Sequence, residues 1–276
     1  MVLCHRMPSI VLDKNILQGS RPESLIEFSK RHVILLPQAL IYEIFTEEQG
    51  KRGSPGLQSY LDKLRVCRLC VCKSTGELIR EEKRTHRPAE RIVDNEATQF
   101  LRAALCDRSH VWPDKDGVLL STAYKDDFRM VLGYRRARQH QICTSRFTQE
   151  AKGITQEARN AGTTVSKMLW DMTNTFVREE WKEAYPLLPR LCTSRSVCFM
   201  VSRFMNFIEF RRAADGLGAS MNTKDKALFN EQVDVHYLVL LVQADGIATA
   251  DGRMREFARA AFPHRRVCET IAEGSA

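Results

Sequence analysis

Short runs of aliphatic residues mark both ends of this chain, and each closes on a polar residue. Ser9-Ile10-Val11-Leu12 is such a run. It is β-branched in part and stops at Asp13, so it predicts a buried strand with an acid at its carboxyl edge. Gly19-Ser20-Arg21-Pro22 reads as a turn, and Ser24 is placed to cap a helix through Lys30. His32-Val33-Ile34-Leu35-Leu36 predicts a second buried strand. Pro37 suits the opening of a helix, where its missing N–H costs little. That helix continues from Gln38 through Phe45, with Leu36, Leu40, Ile41, Ile44 and Phe45 on a buried face and Glu43 beside it. Strand–helix–strand order predicts a parallel pair with a right-handed crossover. In such sheets ligands gather beyond the carboxyl ends of the strands. Asp13 stands at such an end, and Glu43 leans toward the same place.

The middle of the chain is mostly helical in pattern. Gln49 to Gly56 is a loop, and Ile92 to Leu105 is a helix with Asp94, Asn95 and Glu96 near its start. His110 to Gly117 is irregular. A long helical stretch runs from Ser145 to Trp181, with a weak point at Ala161-Gly162. Ser196 to Arg212 is a further helix whose apolar face, Val197, Phe199, Met200, Phe204, Phe207, Ile208 and Phe210, is wide enough for burial almost all round. No internal repeat or low-complexity tract is present.

The last segment again pairs apolar runs with acids. Asp234 leads Val235-His236-Tyr237-Leu238-Val239-Leu240-Leu241-Val242-Gln243, whose pattern fits a buried helix or a strand equally well. Ala244-Asp245-Gly246 breaks it. Ile247-Ala248-Thr249 is a short strand candidate that ends at Ala250-Asp251. Gly252-Arg253-Met254 then turns into a helix to Ala261, stopped by Pro263.

Composition changes this picture only slightly. The chain of 276 residues has room for one large domain, or for a compact domain with a sizeable insertion. No apolar run reaches the roughly 18–20 residues that span a bilayer, and the N-terminus lacks the pattern of an export signal. The nine cysteines are odd in number and unevenly spread, which fits free thiols in a reducing cytoplasm. Cys67, Cys70 and Cys72 form a cluster without a second C-x-x-C. Buried cysteines on a strand or helix are the plainer reading, and a zinc-stabilised nucleic-acid binder is the alternative. The formal net charge of +8 favours polyanions. The strongest basic stretch, Lys125 to Arg146, carries Arg129, Arg135, Arg136, Arg138 and His140 interleaved with Phe128 and Tyr134. It reads as a solvated face or as a phosphate-tracking strip with stacking partners. His264-Arg265-Arg266, near the end of the last helix, either favours the helix dipole or grips a phosphate.

Asp13 and Asp251 each follow a short strand and precede a turn and helix, and Glu43 and Asp234 sit on or at the start of apolar segments. Burying carboxylates together is costly unless a cation compensates. Hard divalent cations take such oxygen ligands and can activate water against a phosphodiester. The bland alternatives are turn, cap and surface acids: Asp234 and Asp251 both suit helix N-caps.

Three passages resemble the PIN-like nuclease family. Ile10-Val11-Leu12-Asp13-Lys14-Asn15 resembles its opening strand with D-x-N. Leu36-Pro37 through Tyr42-Glu43-Ile44 resembles its second strand and the helix that presents a Glu. Asp234 through Asp251 resembles its late helix with a leading Asp, followed by a strand ending in T-x-D. The resemblance implies an α/β three-layer fold with a short central parallel sheet, and a helix over Asp234 to Gln243. Residues 1–46 and 231–276 would form the two core halves, and 47–230 the helical middle, holding the rest of the core and a large insertion. It implies an Mg²⁺- or Mn²⁺-dependent nuclease with Asp13, Glu43, Asp234 and Asp251 as catalytic metal ligands. Asn15 and Thr249 would orient those carboxylates, with Asp245 at the rim. RNA is the implied substrate, ahead of single-stranded or structured DNA. The insertion suggests a homo-oligomer or protein partner, with no membrane role. The alternative is a catalytically silent PIN-like module that binds or assembles through its helices.

Overall fold

The aliphatic runs at the two ends of the chain become neighbours at the centre of one sheet. The computed structural model describes residues 7–47, 57–107, 110, 146–184, 189–215 and 226–271. The strands are β1 (Ser9–Leu12), β2 (Val33–Leu36), β3 (Leu69–Cys72), β4 (Val93–Asp94), β5 (Gly246–Ala248) and β6 (Arg266–Cys268). The helices are α1 (Lys14–Gly19), α2 (Pro22–Arg31), α3 (Gln38–Glu47), α4 (Leu57–Arg65), α5 (Thr75–Thr85), α6 (Asn95–Cys106), α7 (Arg146–Asn160), α8 (Val165–Ala184), α9 (Val197–Ala214), α10 (Lys226–Leu238) and α11 (Gly252–Ala261). Short 3₁₀ turns occupy Pro189–Leu191 and Val239–Val242.

The described residues divide into two compact units. The first draws on Met1–Ser74, Glu90–Lys125 and Gln243–Ala276, and the second on Thr75–Ala89 and Asp126–Val242. The boundary expected at 231 therefore falls at Gln243, because the apolar segment through Val242 packs against α9 in the second unit. Residues 57–74 and 90–107, placed in the middle region from sequence, contribute β3, β4, α4 and α6 to the first unit.

The first unit is an α/β fold. Its six-stranded sheet has the order β4-β3-β2-β1-β5-β6. All neighbouring pairs are parallel except β3 with β4, which is antiparallel. Ile10, Val11, Leu12, Ile34, Leu35, Leu36, Leu69, Val71, Ile247 and Ala248 are all buried. Such near-continuous apolar strands are what a parallel sheet covered on both faces requires. From β1 the chain builds outward through β2 and β3, then returns to add β5 and β6 on the other side. The strand order thus reverses between β1 and β5. Gly246 is needed there: a Cβ would lie 2.4 Å from the carbonyl oxygen of Arg266 on β6.

Two cations tie helices to their neighbours in this unit. Lys63 Nζ donates to the carbonyls of Leu17 and Gln18, each at 2.9 Å, at the end of α1. Arg102 donates to Leu69 O at 2.6 Å. Cys70 and Cys72 lie on β3 and Cys67 just before it, and burial pushes the Cys67 thiol up to about 11. Among the described residues no group of three or more His, Cys, Asp or Glu could hold a metal, so the cysteine cluster has no zinc set around it.

The second unit is helical. α9 is buried on nearly every side, as its apolar breadth predicts, and packs against α5, α7, α8 and α10. Trp170 lies 4.7 Å from Phe204 and 5.5 Å from Phe207, and the Arg203 guanidinium sits 3.9 Å over the Trp170 ring. The weak point between α7 and α8 is a turn, with Gly162 at φ +62. Glu82 on α5 is wholly buried at the N-terminus of α9. Its carboxylate accepts from Val197 N at 2.9 Å, Cys198 N at 2.8 Å, Ser196 Oγ at 2.7 Å and Ala89 N at 2.9 Å. Among the described residues, no helix of either unit is long and apolar enough to cross a membrane.

Candidate functional site

The carboxyl ends of β1 and β5 lie side by side where the strand order reverses. Leu12 is in register with Ala248, so the residues that follow them, Asp13 and Thr249, are neighbours. The Asp13 N–H donates to Ala248 O at 3.0 Å, which ties the end of β1 to β5. Crevices outside the carboxyl ends at such a switch point are where open α/β sheets bind ligands.

Four of the residues singled out from sequence meet there. Asp13 is only 4% exposed, and Thr249 is fully buried. The Thr249 hydroxyl donates to Asp13 Oδ2 at 2.8 Å and accepts from the Asp251 N–H at 3.1 Å. Asn15 Nδ2 lies 3.5 Å from the same Asp13 oxygen. Asp251 caps α11, its Oδ1 accepting from Met254 N at 2.8 Å. The cap reading of Asp251 is therefore correct, and it coexists with a place beside Asp13.

Negative charge gathers in this corner. Burial pushes the Asp13 carboxyl above the ordinary carboxylate range. The Thr249 hydroxyl and the nearby Lys14 and Asn15 amides pull it back, while the negative charge of Asp251 pushes it up further.

The other expected site residues lie elsewhere. Glu43 is half-buried on α3, in the same unit, but it does not complete a three-acid set with Asp13 and Asp251. Asp234 belongs to the second unit and is half-buried. The segment it was expected to lead is helical, as the resemblance implied. However, α10 begins at Lys226, so Asp234 is an interior residue and not a cap. Asp245 is at the opposite edge of the sheet from Asp13. It precedes β5, and its carboxylate accepts from Ser9 N at 2.8 Å and Ser9 Oγ at 2.9 Å, at the start of β1. Arg265 and Arg266 share that amino edge. Arg265 pairs with Asp245 at 3.7 Å, and Arg266 Nη1 lies 3.4 Å from His32 Nε2. Neither lies in the last turn of a helix, because α11 ends at Ala261 and Arg266 opens β6. Arg129, Arg135, Arg136 and Arg138 lie outside the described residues.

Arg255 is the site residue that sequence reasoning passed over. Its guanidinium donates to Ala250 O at 2.9 Å and Thr249 O at 3.3 Å, and pairs with Glu269 at 3.2 Å. The available signal was a cation within one turn of the helix-capping Asp251, where the helix dipole disfavours positive charge.

No protein-family profile, curated protein or solved structure matches this chain, so the chemistry of the site rests on its own residues.

Proposed function

We propose that this chain is a PIN-like, divalent-metal-dependent nuclease whose cleavage centre is the Asp13–Asp251 pair. One observation carries the reading: a buried carboxylate at the end of β1 and a second acid in the turn after β5 meet at the switch point, the Thr249 hydroxyl bonding the carboxylate of Asp13 and the backbone N–H of Asp251. The donor set fits Mg²⁺ or Mn²⁺. Small hard cations are commonly held by one or two carboxylates, and keep the rest of their shell as water and phosphate oxygens. Asp13 and Asp251 would hold the ion, and its chemistry there is to polarise a phosphodiester and lower the pKa of a water. Asp13, buried and raised by its surroundings, gains the counter-charge it lacks. Thr249 and Asn15 orient it through their hydrogen bonds, and the cap to Met254 fixes the direction of Asp251.

RNA is the proposed substrate, with single-stranded or structured DNA as the alternative. The test is Mn²⁺-dependent cleavage of labelled RNA and single-stranded DNA by wild type, Asp13→Asn and Asp251→Asn. Each substitution is expected to lower the rate at least about 100-fold, since it removes a direct ligand and not merely an outer partner. Undiminished cleavage by both variants would exclude this pair as the source. Glu43→Gln and Asp234→Asn in the same assay decide whether those two acids take part.

A second reading is favoured by the short acid set: a silent PIN-like module that binds or assembles through its helical unit. It requires that wild type cleave neither substrate and that Mn²⁺ leave its thermal stability unchanged.

A further inference from the structure

Arg255 stands in the first turn of α11, yet its guanidinium folds back past the helix N-terminus, the end at which a cation is least favoured. Something there outweighs that cost. Nη1 bridges two successive carbonyls, Thr249 O and Ala250 O, and Nη2 reaches Glu269. The arginine side chain is only 15% exposed. The Thr249 N–H is tied to Cys268 O at 3.0 Å on β6. The turn from Thr249 to Asp251 is thus clamped from the sheet on one side and from Arg255 on the other. Threonine is stiff at χ1, so its hydroxyl follows its backbone. Holding the backbone of Thr249 therefore aims its Oγ1.

We propose that Arg255 is a positioning residue for the acid pair: by holding the carbonyls of Thr249 and Ala250 it keeps the Thr249 hydroxyl on Asp13 and Asp251 beside it. The inference deepens the cation-site reading and takes its functional meaning from it, but it is tested without a metal. In protein labelled with ¹³C at aspartate carboxyls, the Asp13 signal is identified by its loss in Asp13→Asn and titrated in wild type and variants. Thr249→Val removes a donor that favours the charged carboxylate, so the Asp13 midpoint moves up. Arg255→Met keeps the length of the side chain without its donors, and is expected to move the midpoint the same way. The double variant is expected to match Thr249→Val alone, since both act through one bond. Glu269→Gln, which breaks the ion pair and leaves the carbonyl bonds, is expected to leave the midpoint where it is. Arg255→Ala gives the same reading should the methionine variant lose its native near-UV circular dichroism. An Asp13 titration unchanged in the Arg255 variant while Thr249→Val shifts it, or additive shifts in the double variant, would overturn the proposal.

Mn²⁺ binding to the same proteins, followed by the paramagnetic resonance of free ion, separates the two readings. Arg255→Met is expected to weaken binding about 10-fold, as loss of an outer partner does. A wild type that binds no Mn²⁺ retires the metal reading, while the titration still decides the role of Arg255.

Discussion

Replacing Glu82 should unfold the helical unit more readily than almost any other single change in it. The carboxylate is wholly buried and accepts four hydrogen bonds, three from backbone N–H groups and one from Ser196 Oγ. Two of the amides, those of Val197 and Cys198, are first-turn donors of α9 with no acceptor inside the helix, and its dipole also favours an anion. Ser196 Oγ in turn accepts from Phe199 N at 3.2 Å, so the cap depends on the same acid. Each buried donor left without a partner costs about 1–3 kcal/mol, but water entering the vacated space recovers part of the sum. Loss of one partner from a buried charged network typically costs about 3–5 kcal/mol, and that is the expectation for Glu82→Ala. Glu82→Gln keeps the volume but turns one acceptor oxygen into a donor facing donors, for a cost of about 2–3 kcal/mol. The assay is urea unfolding at neutral pH read by tryptophan fluorescence in a Trp112→Phe background, so that Trp170 and Trp181, both on α8 in this unit, are the reporters. A midpoint within about 0.5 kcal/mol of wild type in both variants, the range of ordinary surface substitutions, would refute the buried-cap reasoning.

Other consequences follow from single groups. His236 is buried against Thr75 Oγ1 at 2.7 Å, and burial lowers its pKa from 6.5 to about 4, so it is neutral in the fold. The unfolded chain takes up the proton first. Stability is therefore full above pH 6.5 and falls by up to about 3 kcal/mol as the pH drops toward 4; His236→Gln should flatten that slope in urea midpoints measured at pH 7 and pH 5. Asp13 behaves oppositely. Its folded pKa is raised, so its ionisation opposes folding once the pH rises above its unfolded value of 3.8. Asp13→Asn should accordingly melt higher than wild type at pH 7 without metal, and Mn²⁺ should raise the melting temperature of wild type only. A lower melting point for the variant would contradict the uncompensated charge. Gly246→Ala drives a Cβ into the Arg266 carbonyl and should cost about 2–3 kcal/mol, checked by the same denaturation.

Local pattern was a good guide wherever an element is defined by its own residues. The runs at Ser9–Leu12 and Val33–Leu36 are strands, the helices expected around Asn95 to Leu105 and Val197 to Arg212 form as α6 and α9, and Gly162 parts α7 from α8. Elements shaped by contacts from elsewhere were less legible. β4 and β6 are two and three residues long and exist because β3 and β5 offer ladders to pair with. The cysteines of β3 were assigned only to a strand or a helix, since a short continuous apolar run satisfies either.

The same division runs through the candidate site. The pattern marked Asp13 and Asp251, because an acid after a short aliphatic run falls at a strand edge whatever the strand pairs with; Asn15 and Thr249 came only from the family resemblance. It set Asp245 at the rim of the site that holds Asp251, although the two flank the same three-residue strand. Strand direction separates them: Asp245 enters β5 at the amino edge and bonds Ser9, while Asp251 leaves at the carboxyl edge beside Asp13. Sequence alone could not find Glu82, a single acid in an amphipathic helix whose partner Ser196 lies 114 positions away. Hydrophobic period and capping chemistry act over a few residues and are written in them. The meeting of β1 with β5, and of Glu82 with α9, depends on which distant surfaces bury one another, and only the folded chain decides that.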